Sequence, residues 1–475
     1  MIKSIKFGGT SMGSAESIMK CVGIIESKLT EHDNIVVTVS AVGGVTNTLL
    51  SMVQKEINIK NIKHNINSLS NLHNQILNSL VNDQKRQQDI WSKSFLPIFG
   101  KLELVCLNNS KITEKLIAQI CSFGERLSSL LMFYALLERK IKCTTIKSDQ
   151  IIKTDNNYLD ASVNFTTTTK LINDKMQSLF KSKTIPIVTG FIGQNNIGEI
   201  TLLGRGGSDY TAAIIAYAIK ADTLEIWTDV DGVMSTDPNI CSKAYSLKRL
   251  NSSLMLEMSC NGAKVLDYKS LVLAIKRDIP IYIYNTFNTT FRGSHISNYN
   301  QINFSGSNSP KPGSVTNETP YSSATSSVSD QKIVSITSNT EKVIINLALP
   351  ESVNKVNSVL AANNILPRFC TFSESECNFM LENSQLSDKI KIELEAVSST
   401  VSYEDGIVQV CVIGNKIGHN TKIIGSIFNI ISNLKVRLYL THVTPINISI
   451  FINHRDKKIL IEQLHNFLEK NNAIS

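Results

Sequence analysis

The sequence predicts an α/β protein: a mostly parallel sheet sandwiched by helices, followed by two smaller βαββα-type units. Three observations carry this. Apolar runs such as Ile35-Val36-Val37-Thr38-Val39 lack the alternation of a half-exposed strand, as strands covered on both faces do. Such runs alternate with helical spacings, the order that builds parallel sheets. Beyond a segment rich in Ser, Asn, Pro and Gly (304–330) the pattern changes to shorter strands and helices.

A chain of 475 residues is long enough for two or three domains. Its hydrophobic fraction of 42% and mean hydropathy near zero are those of a soluble globular protein. There is no run of about 18 apolar residues, so no membrane span is expected. Lys3, Lys6 and the glycines interrupt any secretory apolar core at the start. Nine cysteines are scattered singly with no Cys-x-x-Cys pair, which argues for reduced thiols in a cytoplasm and against a disulfide framework or zinc site. The formal net charge is +8, yet the lysines are dispersed and no aromatic-basic stripe exists. Small anions, and not nucleic acid, are therefore the expected partners.

Ile2–Phe7 reads as a buried strand running into Gly8-Gly9-Thr10-Ser11, with Ile18, Cys21, Val22, Ile25 and Leu29 spaced along one face of the next helix. Strand, glycine pair and helix start present bare backbone N–H groups to an anion, and Lys6 adds a charge beside them. Glycine belongs there because a side chain would hold the backbone away from a phosphate. Ile35–Val39 ends in a second glycine-rich turn, from Ser40 to Asn47. Ligands in such sheets collect beyond the carboxyl ends of the strands, where both turns lie. Residues 52–110 read as a polar, peripheral helical excursion, and 112–137 as a strong helical face broken near Gly124. At that break Ser122-Phe-Gly-Glu125 fits a capping box, while a ligand role for Glu125 fits equally well.

Ile185–Ile192 is a further strand. After Ile200–Leu203 comes Gly204-Arg205-Gly206-Gly207-Ser208-Asp209 and an apolar helix over 210–219. Its glycines free more amides, Ser208 is placed to cap the helix, and Asp209 suits the first turn. Arg205 offers a planar fork to a carboxylate or phosphate. The bland alternative is a tight turn with a surface arginine; two glycine turns carrying Lys6 and Arg205 argue against it. Thr223–Thr228 is the next strand, and Asp229-Val-Asp231-Gly232 opens like a calcium loop. The remaining ligands of such a loop are missing, so it reads as a turn lining a nucleotide pocket. Gly262-Ala263-Lys264 is expected to begin a helix and Ile279–Tyr284 to add a closing strand. In the tail, Lys342–Leu349, Val353–Asn363, Arg368–Thr371 and Phe379–Leu381 make one series of strand, helix, strand, strand. Gly406–Val412, Thr421–Ile431, Val436–Leu440, Ile446–Ile452 and Lys458–Leu468 make a second. Tandem units of this kind with little catalytic polarity look like small-molecule-sensing modules.

Four ordered motifs, Lys6-Phe-Gly-Gly-Thr-Ser11, Gly204-Arg-Gly-Gly-Ser-Asp-Tyr210, Trp227-Thr-Asp-Val-Asp-Gly232 and Gly262-Ala-Lys-Val-Leu266, together resemble the aspartate kinases of the amino acid kinase superfamily. The tail resembles their paired ACT domains. The resemblance implies an amino-acid-kinase-type sheet over 1–300, a linker over 301–330, and ACT-like βαββαβ (ferredoxin-like) units over 331–400 and 401–475, open to interleaving. It implies transfer of the ATP γ-phosphoryl group to the β-carboxylate of L-aspartate, with Mg²⁺ carried by the nucleotide. This is the first step towards lysine, threonine and methionine. By the family pattern Lys6 and Asp209 are catalytic, and Phe7, Gly8, Gly9 and Thr10 join Lys6 around phosphate. Ser40, Thr46, Glu125, Arg205, Gly206, Gly207 and Ser208 hold aspartate, Glu125 taking its ammonium and Arg205 a carboxylate. Thr228, Asp229, Met234 and Lys264 contact the nucleotide, and the ACT-like units pair two chains into a homodimer.

The sequence departs from the family where Met234 replaces a usual tyrosine, Asn239 a common basic residue, and Asp267-Tyr268 a usual His-Pro. In the second ACT-like unit, Thr441 to Pro445 stands where a glycine-containing effector loop is usual. Pro445 removes a backbone donor there, so feedback by lysine or threonine is expected to be weak or absent. Two rival readings are weighed: another amino acid kinase acting on N-acetylglutamate or UMP, and a non-catalytic ACT-bearing regulatory or assembly subunit. Lys6, Arg205 and Asp209 speak against the second, since a scaffold needs none of them.

Overall fold

β-branched residues dominate the central strands, and they are the side chains that pack best on a pleated surface covered from both sides. The computed structural model describes residues 1–29, 34–53, 58–109, 111–263, 265–298, 332–348 and 353–473. The expected 301–330 linker and Lys264 lie outside the described residues. The chain divides into two units: Met1–Val233 with Ser246–Ser252 and Val265–Tyr299, and Met234–Tyr245 with Ser253–Lys264 and Asn300–Ser475.

The first unit holds, in chain order, β1 (Ile2–Phe7), β2 (Asn34–Val39), β3 (Cys143–Ile146), β4 (Ile185–Thr189), β5 (Ile192–Gln194), β6 (Ile200–Leu202), β7 (Thr223–Thr228), β8 (Arg249–Asn251), β9 (Ile281–Asn285) and β10 (Ser294–Ser297). Eight of these form one sheet in the order β3-β4-β2-β1-β7-β9-β10-β8, while β5 and β6 pair separately. All neighbours from β3 to β9 run parallel; β9 and β10 are antiparallel. β1 lies at the centre with Ile5 and Phe7 fully buried. Each such side chain contributes about 1.5–3 kcal/mol over exposure. The turns leaving β1 and β2 therefore start from fixed ends.

The helix Ala15–Lys28 buries Ile18, Cys21, Val22 and Ile25 as its spacing predicts, but Leu29 lies past its end and is exposed. The excursion is less peripheral than its polarity implies. Helix Ile59–Leu80 buries Ile62, Ile66, Leu69, Ile76, Leu77 and Leu80 in the same core cluster as β1 and β2. By length and composition Glu114–Glu138 would pass for a membrane span, yet 72% of that apolar window is buried within the protein. It is two core helices, Glu114–Cys121 and Phe123–Glu138.

In the second unit β11 (Ile333–Ala348), β12 (Phe369–Phe372), β13 (Glu376–Glu382), β14 (Ser402–Gly414), β15 (Leu438–Val443) and β16 (Asn447–Asn453) form a sheet in the order β12-β13-β11-β14-β16-β15. All its pairings are antiparallel. β11 begins well before the expected Lys342. Its later half pairs with β13, and its first half, from Ile333, pairs with the end of β14. Helices Val353–Ala362 and Asp388–Val397 cover one half of the sheet, Thr421–Asn433 and Lys457–Ala473 the other. One long strand thus belongs to both halves. Gly262 and Ala263 do not open a helix; they follow the helix Ser252–Cys260. Gly262 has φ +110 and a Cβ there would lie 2.1 Å from the Ser338 carbonyl oxygen, so the chain must leave the helix at glycine.

Candidate active site

Beyond the carboxyl ends of β1, β2 and β4 the turns close around a cavity of about 350 Å³. Backbone hydrogen bonds hold them together: Ser40 N–H donates to Phe7 O (3.1 Å), Gly43 N–H to Gly9 O (3.0 Å) and Gly190 N–H to Val39 O (2.9 Å). A Cβ on Gly9 would lie 3.2 Å from Ala41 O, a tight contact that favours glycine there. Of the residues predicted from sequence, the cavity wall brings together Lys6, Gly9, Ser40, Thr46, Glu125, Arg205, Gly206, Gly207, Ser208 and Asp209.

Lys6 is buried, and its Nζ lies 2.5 Å from Asp209 Oδ1. Asp209 stands in the first turn of helix Gly207–Ile219, where the helix dipole favours an acid. Ser208 does not cap that helix. The cap is Gly206, at φ +69, which leaves the Ser208 side chain inside the first turn. Arg205 is exposed beside it and has no partner among the described residues, so its fork is open to a ligand.

Glu125 is 3% exposed, and the structure decides against the capping box. Ser122 makes no cap bond, its Oγ donating to Gln119 O (2.7 Å). Glu125 instead accepts from Ala41 N–H at 3.3 Å through Oε1, and Oε2 is buried with no partner among the described residues. Burial outweighs the lowering by its own and the Ala41 amide and pushes the carboxyl up to about 8.

The opening turn is narrower as an anion cradle than its sequence implies. Gly8 N–H is already bound to Trp227 O at 3.0 Å, and Phe7 is fully buried with its carbonyl accepting from Ser40. Neither offers a free group. The amides of Gly9, Thr10 and Ser11 have no partner among the described residues. Thr10, Thr228 and Asp229 are not on the cavity wall. β1 and β7 pair in register, Phe7 opposite Trp227, so Thr228 ends level with Gly8. Its Oγ1 donates to Asp229 Oδ1 at 3.1 Å, and Asp231 is held by Asn285 Nδ2 at 2.7 Å. Met234 falls in the second unit.

Sequence reasoning missed Phe191 and Gly190. Phe191 lines the cavity at φ +70, held by its N–H donating to Thr211 Oγ1 (2.9 Å). A Cβ on Gly190 would meet Ser208 Oγ at 2.5 Å. The only available signal was a glycine just after a buried strand.

The model of the amino acid kinase family matches residues 1–285. The aspartokinase of Rickettsia prowazekii is 28% identical over 98% of both chains, and lysine-sensitive aspartokinase 3 of Escherichia coli is 25% identical over 98% of both. The fold matches E. coli aspartokinase III in complex with aspartate and ADP (TM-score 0.80, 23% identity, 98% of this chain and 99% of that one). It also matches aspartate kinase of Clostridium acetobutylicum (TM-score 0.72, 19% identity, 98% and 99%). The chain belongs to the amino acid kinase family, and along nearly its whole length it is similar to that family's aspartokinases.

Proposed function

We propose that this chain transfers the γ-phosphoryl group of ATP to the β-carboxylate of L-aspartate, giving 4-phospho-L-aspartate and ADP. It would thereby open the route to lysine, threonine and methionine. The observation that carries the reading is Glu125 Oε2, a buried acceptor with no partner among the described residues, on the same wall as Lys6 and Arg205. A substrate with a free ammonium and two carboxylates matches that set: ammonium to Glu125, α-carboxylate to Arg205, β-carboxylate towards Lys6. N-acetylglutamate and UMP bring no ammonium for the acid.

The chemistry asks for little beyond placement and charge. A β-carboxylate oxygen forms a bond to the γ-phosphorus while the bond to the β,γ-bridging oxygen breaks, and ADP leaves with the electron pair. No proton moves. Lys6, held by Asp209, offsets the charge on the phosphoryl group in transit, and the Gly9 amide on the cavity wall, with the exposed Thr10 amide beside it, receives phosphate oxygens. Mg²⁺ would supply further charge neutralisation. The ion would arrive with the nucleotide, and Asp209 is the aspartate on the cavity wall. The ACT-like tail would pair two chains into a homodimer and give weak or no feedback.

Incubation with ATP, Mg²⁺ and L-aspartate in hydroxylamine should yield the aspartyl hydroxamate, with N-acetylglutamate and UMP as parallel acceptors. No hydroxamate, or turnover of another acceptor instead, would refute the reading.

A further inference from the structure

Arg205 is flanked by two glycines in the left-handed region, Gly204 at φ +80 and Gly206 at φ +69. An aspartate side chain packs against the Cα of each glycine. A Cβ on Gly204 would lie 2.0 Å from Asp160 Oδ1, and one on Gly206 would lie 2.5 Å from Asp267 Cβ and 3.1 Å from Asp267 Oδ2. The two acids come from separate parts of the chain, Asp160 from a bridge beside Leu203 and Asp267 from the cap of helix Tyr268–Lys276.

One residue ties them. Lys269 donates through Nζ to Asp160 Oδ1 and through its backbone N–H to Asp267 Oδ1 at 2.9 Å. Its Nζ also lies 5.8 Å from the ring centroid of Tyr210, in the first turn of the helix that follows the glycines. Lys269 therefore meets both flanks of Arg205 and the helix start beyond it, its ammonium on Asp160 and Tyr210 and its backbone amide on Asp267. The turn's own bonds are backbone ones, Gly207 N–H to Gly204 O (3.1 Å) and Tyr210 N–H to Gly206 O (3.0 Å), so Asp160 and Asp267 are the side chains packed on the two glycines that flank Arg205.

We propose that Lys269, with Asp160 and Asp267, is a positioning residue that fixes the Gly204–Gly206 turn and so aims the Arg205 guanidinium at the substrate carboxylate. This rests on the aspartate kinase reading for its substrate and on geometry alone for the turn. Each exposed ion pair contributes little by itself, but a small misplacement of a binding group is costly in KM.

The test compares wild type with Lys269→Met, Lys269→Arg, Asp160→Asn and the Lys269→Met/Asp160→Asn pair in the full chain. Lys269→Met should raise KM for aspartate about tenfold while kcat stays within about twofold, and Lys269→Arg should restore most of it. The pair should be no worse than Lys269→Met, because both changes break one link. Independently of activity, trypsin cleavage after Arg205, followed by mass spectrometry, should be several-fold faster in Lys269→Met and normal in Lys269→Arg. Unchanged KM with unchanged cleavage, additive effects in the pair, or equal losses in Met and Arg variants would overturn the proposal. If wild type turns over no aspartate, the substrate reading fails, and the cleavage comparison alone decides the brace.

Discussion

Glu125→Gln tests the site through a single atom exchange. The amide keeps the shape and the acceptor for Ala41 N–H but cannot ionise. In the folded protein burial raises the carboxyl from 4.5 to about 8, so folding retains a proton between those values. Stability contributed by the protonated form is complete below 4.5 and is lost as pH rises through 8. At 1.36 kcal/mol per pH unit the whole effect is about 5 kcal/mol. The melting temperature of ligand-free wild type should therefore fall, relative to Glu125→Gln, between pH 6 and 9. Substrate binding has the opposite sign. An ammonium needs the carboxylate, and one unit below a value of about 8 only about a tenth of the protein offers it. The kcat/KM for aspartate should thus rise about tenfold per unit from pH 6 and level off above 8. In Glu125→Gln that rise should vanish, with kcat/KM at pH 8.5 about 10–100-fold lower for want of a charge-assisted bond. A flat wild-type profile over pH 6–8.5, or an unaltered rise in the variant, would refute the role given to Oε2.

Three further outcomes are expected. Lys6→Ala removes the cation beside Asp209 and should lower kcat about 10²–10³-fold with a small change in KM for aspartate, read in the hydroxamate assay. Arg205→Lys keeps charge but loses the fork, and should raise KM for aspartate about tenfold with kcat largely kept. Lysine or threonine at millimolar levels should shift KM by less than about fivefold, the lower end of ordinary allosteric coupling; strong inhibition in that titration would show a working effector site.

How much of this could be read from sequence divides along physical lines. Turns that need glycine were legible, because only the backbone conformation and the room for a ligand dictate that residue. Gly204–Asp209 and Gly43–Gly44 are of this kind. Glu125 was ambiguous because Ser-x-x-Glu serves equally well as a cap, and what settles its bond is Ala41, 84 residues away. Gly8 looked free for the same reason. Its amide is spent on Trp227 O, a partner supplied only by the pairing of β1 with β7. Phe191 could not be found by pattern at all, since a non-glycine residue at φ +70 is held there by Thr211 and by the glycines around it. Ser208 failed as a cap because Gly206 reaches the left-handed region two residues earlier and caps the helix itself.

The tail shows the same limit from the other side. Its apolar alternation is strong from Lys342 onward, so the sequence pattern places the start of the strand there. Yet Ile333 and Ile336 are buried under the second pair of helices, and the strand that contains them runs on into the first half. A cut between 400 and 401 would leave both halves of the sheet short of a strand partner. The turn before β16 is equally self-contained. Thr444 N–H donates to Asn447 O (2.8 Å), Asn447 N–H returns to Thr444 Oγ1 (3.0 Å), and Gly418 N–H reaches Pro445 O (3.2 Å). A Cβ on Gly418 would fall 2.0 Å from Thr444 O. Where a glycine loop would leave amides open to an effector, these groups already satisfy one another. A ligand there would have to break bonds that cost about 1 kcal/mol each to lose, which is the physical ground for expecting little response in the lysine or threonine titration.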